Sequence, residues 1–174
     1  MGDGVVVERG TMSRHTMTPY EAGNYIKHDL VYLAGPFFND EQRGVCAAIE
    51  EICRANGRPM YAPRLACLLP QPSTVSQRFA CFNGDVSMAE ACDVVLARID
   101  DFDAGTMWEV GFSYAMGKPV VAYSTVPGRG LNLMLAQSCV GFISGLEAVS
   151  EFLSEKHMPG FGWDVVKDWK GEVE

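Results

Sequence analysis

Asp93-Val94-Val95-Leu96-Ala97-Arg98-Ile99-Asp100-Asp101-Phe102-Asp103-Ala104-Gly105-Thr106-Met107-Trp108-Glu109 is the stretch that decides the fold. Its first seven residues are rich in apolar and β-branched side chains, Val94, Val95, Leu96, Ala97 and Ile99, the pattern of a strand buried on both faces. Asp100 to Gly105 then forms a polar loop holding three carboxylates, and Thr106 is placed to open a helix that reaches Met116. A buried strand feeding a helix in this way predicts a parallel βαβ architecture.

The same alternation extends in both directions. Leu30-Val31-Tyr32-Leu33-Ala34, closed by Gly35-Pro36, reads as the first strand. A stripe of Val45, Ala48, Ile49, Ile52 and Cys53 predicts a helix over 40–55, ended by Asn56-Gly57. A second strand is expected around 59–62, ended by Pro63, then a Pro-punctuated loop from 65 to 74. The next helix is expected over 75–92, broken near Asn83-Gly84. Downstream, Gly117-Lys118-Pro119 is a helix stop before a strand at Val120 to Ser124. A short helix near 131–137, a strand near 140–144 and a helix near 146–156 complete the series. The expectation is an α/β three-layer sandwich around a five-stranded parallel sheet. Such sheets hold ligands outside the carboxyl ends of their strands, so the loops after Ala34, Ile99 and Ser124 are the places to search.

Composition narrows the function. The 174 residues are 48% apolar, enough for a sizeable core, and carry a formal net charge of −8. An acidic chain without a Lys/Arg cluster is a poor partner for nucleic acid or an anionic membrane. No apolar run approaches a membrane span and no signal-peptide pattern opens the chain, which together predict a cytoplasmic domain acting on a small molecule. Residues 1–28 lack apolar periodicity and read as a flexible or partner-dependent extension, 29–157 as the catalytic domain, and 158–174 as a C-terminal tail in reach of a subunit interface. Cys46, Cys53, Cys67, Cys81, Cys92 and Cys139 show no Cys-x-x-Cys pair and read as free thiols, with Cys46 and Cys53 on the core face of their helix. His15, His28 and His157 are too dispersed for a zinc site, so no metal is expected. Neither a Gly-x-Gly-x-x-Gly nor a Walker-type loop is present.

Four segments carry candidate chemistry, each with a plainer alternative. Glu109, three residues after Thr106, falls in the first helical turn, where the macrodipole favours a carboxylate ready to attack an electrophilic sugar carbon. The alternative is a Thr-x-x-Glu capping box. Phe37-Phe38 after the Gly-Pro turn is either a stacking platform for a flat heterocycle or a seal on the sheet edge. Asp85 in Asn83-Gly84-Asp85 is either a turn residue or a partner for Asp103 whose repulsion raises one pKa. Asn132 and Met134 are either a turn residue and a core residue, or contacts to a sugar hydroxyl and its apolar face.

Taken in order, Tyr32-Leu33-Ala34-Gly35-Pro36-Phe37-Phe38-Asn39, Asn83-Gly84-Asp85, Asp103 through Gly111, Gly117-Lys118-Pro119-Val120 and Asn132-Leu133-Met134 resemble the nucleoside 2-deoxyribosyltransferase family over roughly residues 30 to 155. The ordered combination favours the chemical readings. The resemblance implies a flavodoxin-like fold and a homo-oligomer with shared active sites. It also implies exchange of the base of a 2′-deoxynucleoside for a free purine or pyrimidine, with no cofactor. It makes Glu109 the nucleophile that forms a covalent 2-deoxyribosyl-enzyme, and Tyr32 the residue that orients it. Asp85 and Asp103 become the carboxylates around base and sugar, one of them the source of the proton for the departing base. Phe37 and Phe38 line the base pocket, while Asn132 binds the 5′-hydroxyl with Met134 beside it, both from the adjacent subunit.

The chain departs from the family pattern in its long N-terminal extension, in its C-terminal tail, and in Arg64-Leu65-Ala66-Cys67, which lacks the amide some members use to read the base. Two other activities compete. One is hydrolysis of a deoxynucleoside monophosphate, for which Ser124 and Arg129 would hold the phosphate. The other is nucleoside binding without turnover.

Overall fold

The computed structural model describes residues 30–154; the expected extension at 1–28, the tail at 158–174 and all three histidines lie outside the described residues. In chain order the first half contains β1 (Val31–Ala34), α1 (Asp40–Ala55), β2 (Met60–Tyr61), α2 (Pro63–Ala66) and α3 (Val75–Ala91). The second half contains β3 (Val94–Arg98), α4 (Ala104–Ala115), β4 (Val120–Ser124), α5 (Leu133–Ser138), β5 (Gly141–Ser144) and α6 (Leu146–Ser154).

The five strands form one parallel sheet in the order β2-β1-β3-β4-β5. β3 and β4 are buried along their whole length, which is why their sequences are apolar on both faces. On one face, Val31, Leu96, Val121 and Tyr123 pack against Ile49 and Cys53 of α1 and Val149 and Leu153 of α6. On the other, Tyr32, Ala34, Val95, Ala97 and Val120 pack against Ala89 of α3 and Val110 of α4. This is the flavodoxin-like three-layer sandwich read from the sequence. Its strand order reverses direction between β1 and β3, and that switch point opens a crevice at the carboxyl ends of the two strands.

Glycine and proline act where the chain turns. Gly117, with φ +71°, adopts the left-handed conformation that stops α4. At Gly35 a side-chain Cβ would come within 3.3 Å of Arg98 Cβ, a tight contact, so the close approach of the β1 exit to β3 favours glycine there.

Three local expectations are corrected. α3 runs unbroken through Asn83-Gly84, because a capping box between Thr74 and Gln77 secures its start and one interior glycine costs only about 1 kcal/mol. The loop expected from 65 opens with a short helix: Pro63 ends β2 as expected and also sits in the first turn of α2, where its missing N–H is no loss. Cys67 and Cys81, expected as free thiols, are joined in a disulfide with Cα atoms 5.6 Å apart. The segment between them doubles back onto α3, and spacing along the chain carries no trace of that return. Cys46, Cys53, Cys92 and Cys139 are free, and Cys53 is buried in the core as expected.

Among the described residues no helix is long and apolar enough to cross a membrane. The acid–base pairs that lie inside the fold are close and directional. Glu50, almost fully buried on α1, accepts from Arg64 Nε at 2.9 Å and Nη2 at 2.5 Å. At the carboxyl end of β3, Asp100 accepts from Arg98 Nε at 2.9 Å, from Thr125 Oγ1 at 2.6 Å and from the Ser124 hydroxyl.

Candidate active site

Tyr32 is fully buried in β1 and faces the layer formed by α3 and α4. α4 begins at Ala104, not at Thr106, because Asp103 is its N-cap: Asp103 Oδ2 accepts from Thr106 N at 2.8 Å and from Thr106 Oγ1 at 3.0 Å. Gly105 leaves that carboxylate room, since a Cβ there would lie 3.1 Å from Asp103 Oδ2. Moving the helix start places Glu109 in the second turn, out of reach of a capping box, and turns it toward the sheet. Tyr32 Oη donates to Glu109 Oε1 at 2.6 Å.

The expectation of a carboxylate held ionised by the helix dipole is therefore corrected. Burial pushes the Glu109 carboxyl up to about 7; the Tyr32 hydrogen bond opposes this, and the negative charges of Asp85 and Asp103 add to it. The same burial, with the adjacent carboxylate, drives the Tyr32 hydroxyl far above the ordinary tyrosine range, so it remains a donor.

Asp85 projects from α3 into the same space. Its Oδ1 accepts from Tyr61 Oη at 2.9 Å, and its Oδ2 lies 3.8 Å from Cys81 Sγ. Burial raises its pKa and the Tyr61 hydrogen bond lowers it. Mutual repulsion with Asp103 is thus not what raises Asp85, and Asp103 is engaged in capping α4. Tyr61 is the residue that sequence reasoning missed. It stands opposite Tyr32 in the parallel register of β1 and β2, and the rings stack with centroids 5.5 Å apart. The only signal in the sequence was an aromatic residue in a short strand, and strand register is not written there.

The remaining candidates occupy other positions in the fold. Phe37 and Phe38 stack on each other at the exit of β1, centroids 5.5 Å apart, and Phe38 is 70% exposed. Asn132 and Met134 are not brought to Glu109 within this chain. Asn132 Oδ1 accepts from Met134 N and caps α5, and both residues line an open depression with Phe102, Met107, Val110 and Gly111 on another flank of α4. Ser124 is buried and its hydroxyl is held by Asp100, while the Arg129 guanidinium lies 4.3 Å above the Phe102 ring. Phe102 itself has a left-handed backbone, φ +46°, uncommon for a bulky residue. Arg64 and Cys67, in the segment that departs from the family pattern, are engaged with Glu50 and Cys81.

Comparison with known proteins agrees with this fold. The family model for nucleoside 2-deoxyribosyltransferase matches residues 31–144. The 2-deoxyribosyltransferase of the psychrotolerant bacterium Bacillus psychrosaccharolyticus is 32% identical, with a TM-score of 0.66 over 71% of this chain and 91% of that one. A conserved protein from Enterococcus faecalis V583 shares the fold at 23% identity and a TM-score of 0.60, covering 72% of this chain and 97% of its own. The CMP N-glycosidase BcmB of Clostridium botulinum shares it at 16% identity and a TM-score of 0.52, covering 72% of this chain and 99% of its own. No curated protein sequence matches the chain significantly. With its motifs in family order along a flavodoxin-like sheet, and a tyrosine–carboxylate pair at the switch point, the chain belongs to the nucleoside 2-deoxyribosyltransferase family of enzymes acting on nucleosides and bases.

Proposed function

We propose that this enzyme exchanges the base of a 2′-deoxynucleoside through a covalent 2-deoxyribosyl-Glu109 intermediate with net retention of configuration. The observation that carries this reading is the 2.6 Å hydrogen bond from Tyr32 to Glu109 Oε1, inside a buried space shared with Asp85. Tyr32 engages one carboxylate oxygen and stabilises the ionised form, which leaves Oε2 to face C1′.

In the first half-reaction the C1′–N bond breaks, its electron pair stays on the base, and the base nitrogen takes the proton of Asp85. The oxocarbenium-like sugar is captured by Glu109 Oε2 as the new C1′–O bond forms. In the second half the nitrogen of an incoming base attacks C1′, the C1′–O bond breaks, and the incoming base returns a proton to Asp85. Two inversions give retention. The 2′-deoxy sugar suits this chemistry, because no electron-withdrawing hydroxyl opposes the cation. Asp103 supports the site through its negative charge and its cap on α4, and Phe37 and Phe38 cover the base.

Asn132 and Met134 are assigned to a neighbouring copy's site. Two observations support that arrangement: they line a depression on another flank of α4 from Glu109 in their own chain, and α3 exposes Val75, Phe79 and Phe82, the last against Trp108 of α4. A homo-oligomer of this kind, working in nucleotide salvage in the cytoplasm, is the setting we propose. The monophosphate hydrolase reading is disfavoured because the Ser124 hydroxyl is buried against Asp100 instead of facing a phosphate.

The test is incubation with thymidine or deoxyinosine plus free adenine or cytosine, followed by chromatography. A new deoxynucleoside formed only with the acceptor base supports transfer. Release of free base without acceptor supports hydrolysis, and binding without turnover would sink both.

A further inference from the structure

Two tyrosine–carboxylate pairs stand side by side in this fold. Tyr32 holds Glu109 at 2.6 Å and Tyr61 holds Asp85 at 2.9 Å, and the two rings stack on each other at 29°. The second pair is built by elements that have little else to do at this place. β2 is only two residues long, yet Val31 N donates to Pro59 O at 2.9 Å and locks it to β1, so that Tyr61 is directly opposite Tyr32. Pro63 and α2 follow at once and end the strand. A ring clamped in this way leaves its hydroxyl little freedom except rotation of the O–H itself.

We propose that Tyr61 is a positioning residue for Asp85: its hydroxyl occupies Oδ1 and thereby aims Oδ2 at the substrate base. Tyr61 is the only donor to Asp85 among the described residues. The sulfur nearest Oδ2, Cys81 Sγ at 3.8 Å, is in the disulfide with Cys67 and carries no proton to give. Oδ2 is therefore the oxygen left to exchange a proton with the base. This inference rests on the reading of Asp85 as the group that protonates the departing base.

The groups facing Asp85 come from every neighbouring element: Tyr61 from β2, Tyr32 from β1, Glu109 from α4 and Cys81 from its own helix. Asp103 acts on the cluster through Glu109. Burial raises the Asp85 carboxyl and the Tyr61 bond counters it, so removing only the hydroxyl leaves burial unopposed. Asp85 would then hold its proton to higher pH, as a weaker and less well-aimed acid.

Tyr61→Phe keeps the ring and deletes the bond. In protein labelled with 13C at the aspartate carboxyls, the Asp85 resonance, assigned with Asp85→Asn, is titrated in wild type and in Y61F. A charge-assisted hydrogen bond of this kind corresponds to a rise of about one pH unit in the Asp85 midpoint. For base exchange, kcat should fall about tenfold with little change in KM, and its alkaline limb should move to higher pH. In an Asp85→Ala background Y61F should change kcat no further.

An unmoved midpoint in folded Y61F overturns the proposal, as does a moved midpoint with kcat intact. An equal loss of kcat with and without Asp85 would assign the effect to ring packing and also overturn it. A wild-type enzyme that exchanges no base brings down the functional reading instead, while the titration still decides whether Tyr61 governs Asp85.

Discussion

Tyr32 Oη donates to Glu109 Oε1 across 2.6 Å, although the residues are 77 positions apart in the chain. One sits in the middle of a core strand and the other in the second turn of the helix that covers it, so the bond is fixed by the layer packing of the fold. It also acts on a carboxyl that burial has moved into the neutral range.

Glu109→Ala should lower base exchange by about 10³-fold or more while leaving circular dichroism unchanged, because no other carboxylate is held by Tyr32. Tyr32→Phe tests the partner. It removes the one hydrogen bond that holds the Glu109 pKa down, so the acidic limb of kcat/KM should move from about 7 to higher pH. The loss of rate is then greater at pH 6 than at pH 8.5. A pH profile displaced equally at both values would contradict this assignment.

The raised Glu109 pKa makes a separate statement about stability. Its folded-state value of about 7 lies above the ordinary 4.5, so the folded chain binds the proton more tightly than the unfolded chain. That contribution is fully present below pH 4.5 and is lost as pH rises through about 7. Glu109→Gln removes the ionisation, and its advantage over wild type should grow from near zero at pH 4.5 to about 3 kcal/mol at pH 8. Urea unfolding of both proteins at the two pH values measures it.

Asp100 shifts the other way. Burial alone would raise its pKa, but hydrogen bonds from Ser124, Thr125 and Arg98 outweigh burial and hold it at about 2. Its stabilisation is present above pH 3.8 and is lost as pH falls through about 2. Asp100→Ala leaves Arg98, whose side chain is only 2% exposed, without its buried partner, and should destabilise the fold by about 3 kcal/mol at neutral pH. Equilibrium denaturation at pH 7 provides the figure.

Phe79 is 65% exposed on α3, one helical turn from Phe82, whose ring lies 5.4 Å from that of Trp108. If a second copy covers this face, wild type elutes well above the 19.0 kDa of one chain in light-scattering chromatography. Phe79→Glu should shift it toward monomer and reduce exchange by at least about tenfold with the fold retained. A monomeric wild type that exchanges bases at full rate would remove the shared-site arrangement.

Much of the architecture was legible along the chain. The apolar runs at Val94 to Ala97 and Val120 to Tyr123, and the 3.6-residue stripe from Val45 to Cys53, state burial in a strand or a helix face directly, because the spacing of side chains is the local geometry. The motif order also pointed to Tyr32, Asp85 and Glu109, which the fold brings into one space. Local capping was harder to read. Asp103 and Thr106 are both good N-caps, and only the position of α4 against the sheet decides for Asp103.

The sequence by itself determined the alternation of strands and helices, the parallel sheet and the family, because each depends on periodicities and motifs contained within a few turns of chain. Tertiary structure alone decided the rest. It placed Tyr61 against Asp85 through strand register, joined Cys67 to Cys81 through a returning loop, and kept Asn132 and Met134 away from Glu109. It also turned Glu109 from a dipole-stabilised carboxylate into a buried one near neutral pKa. Burial and register are set by neighbours distant in sequence, and a pKa follows the dielectric and charges those neighbours bring.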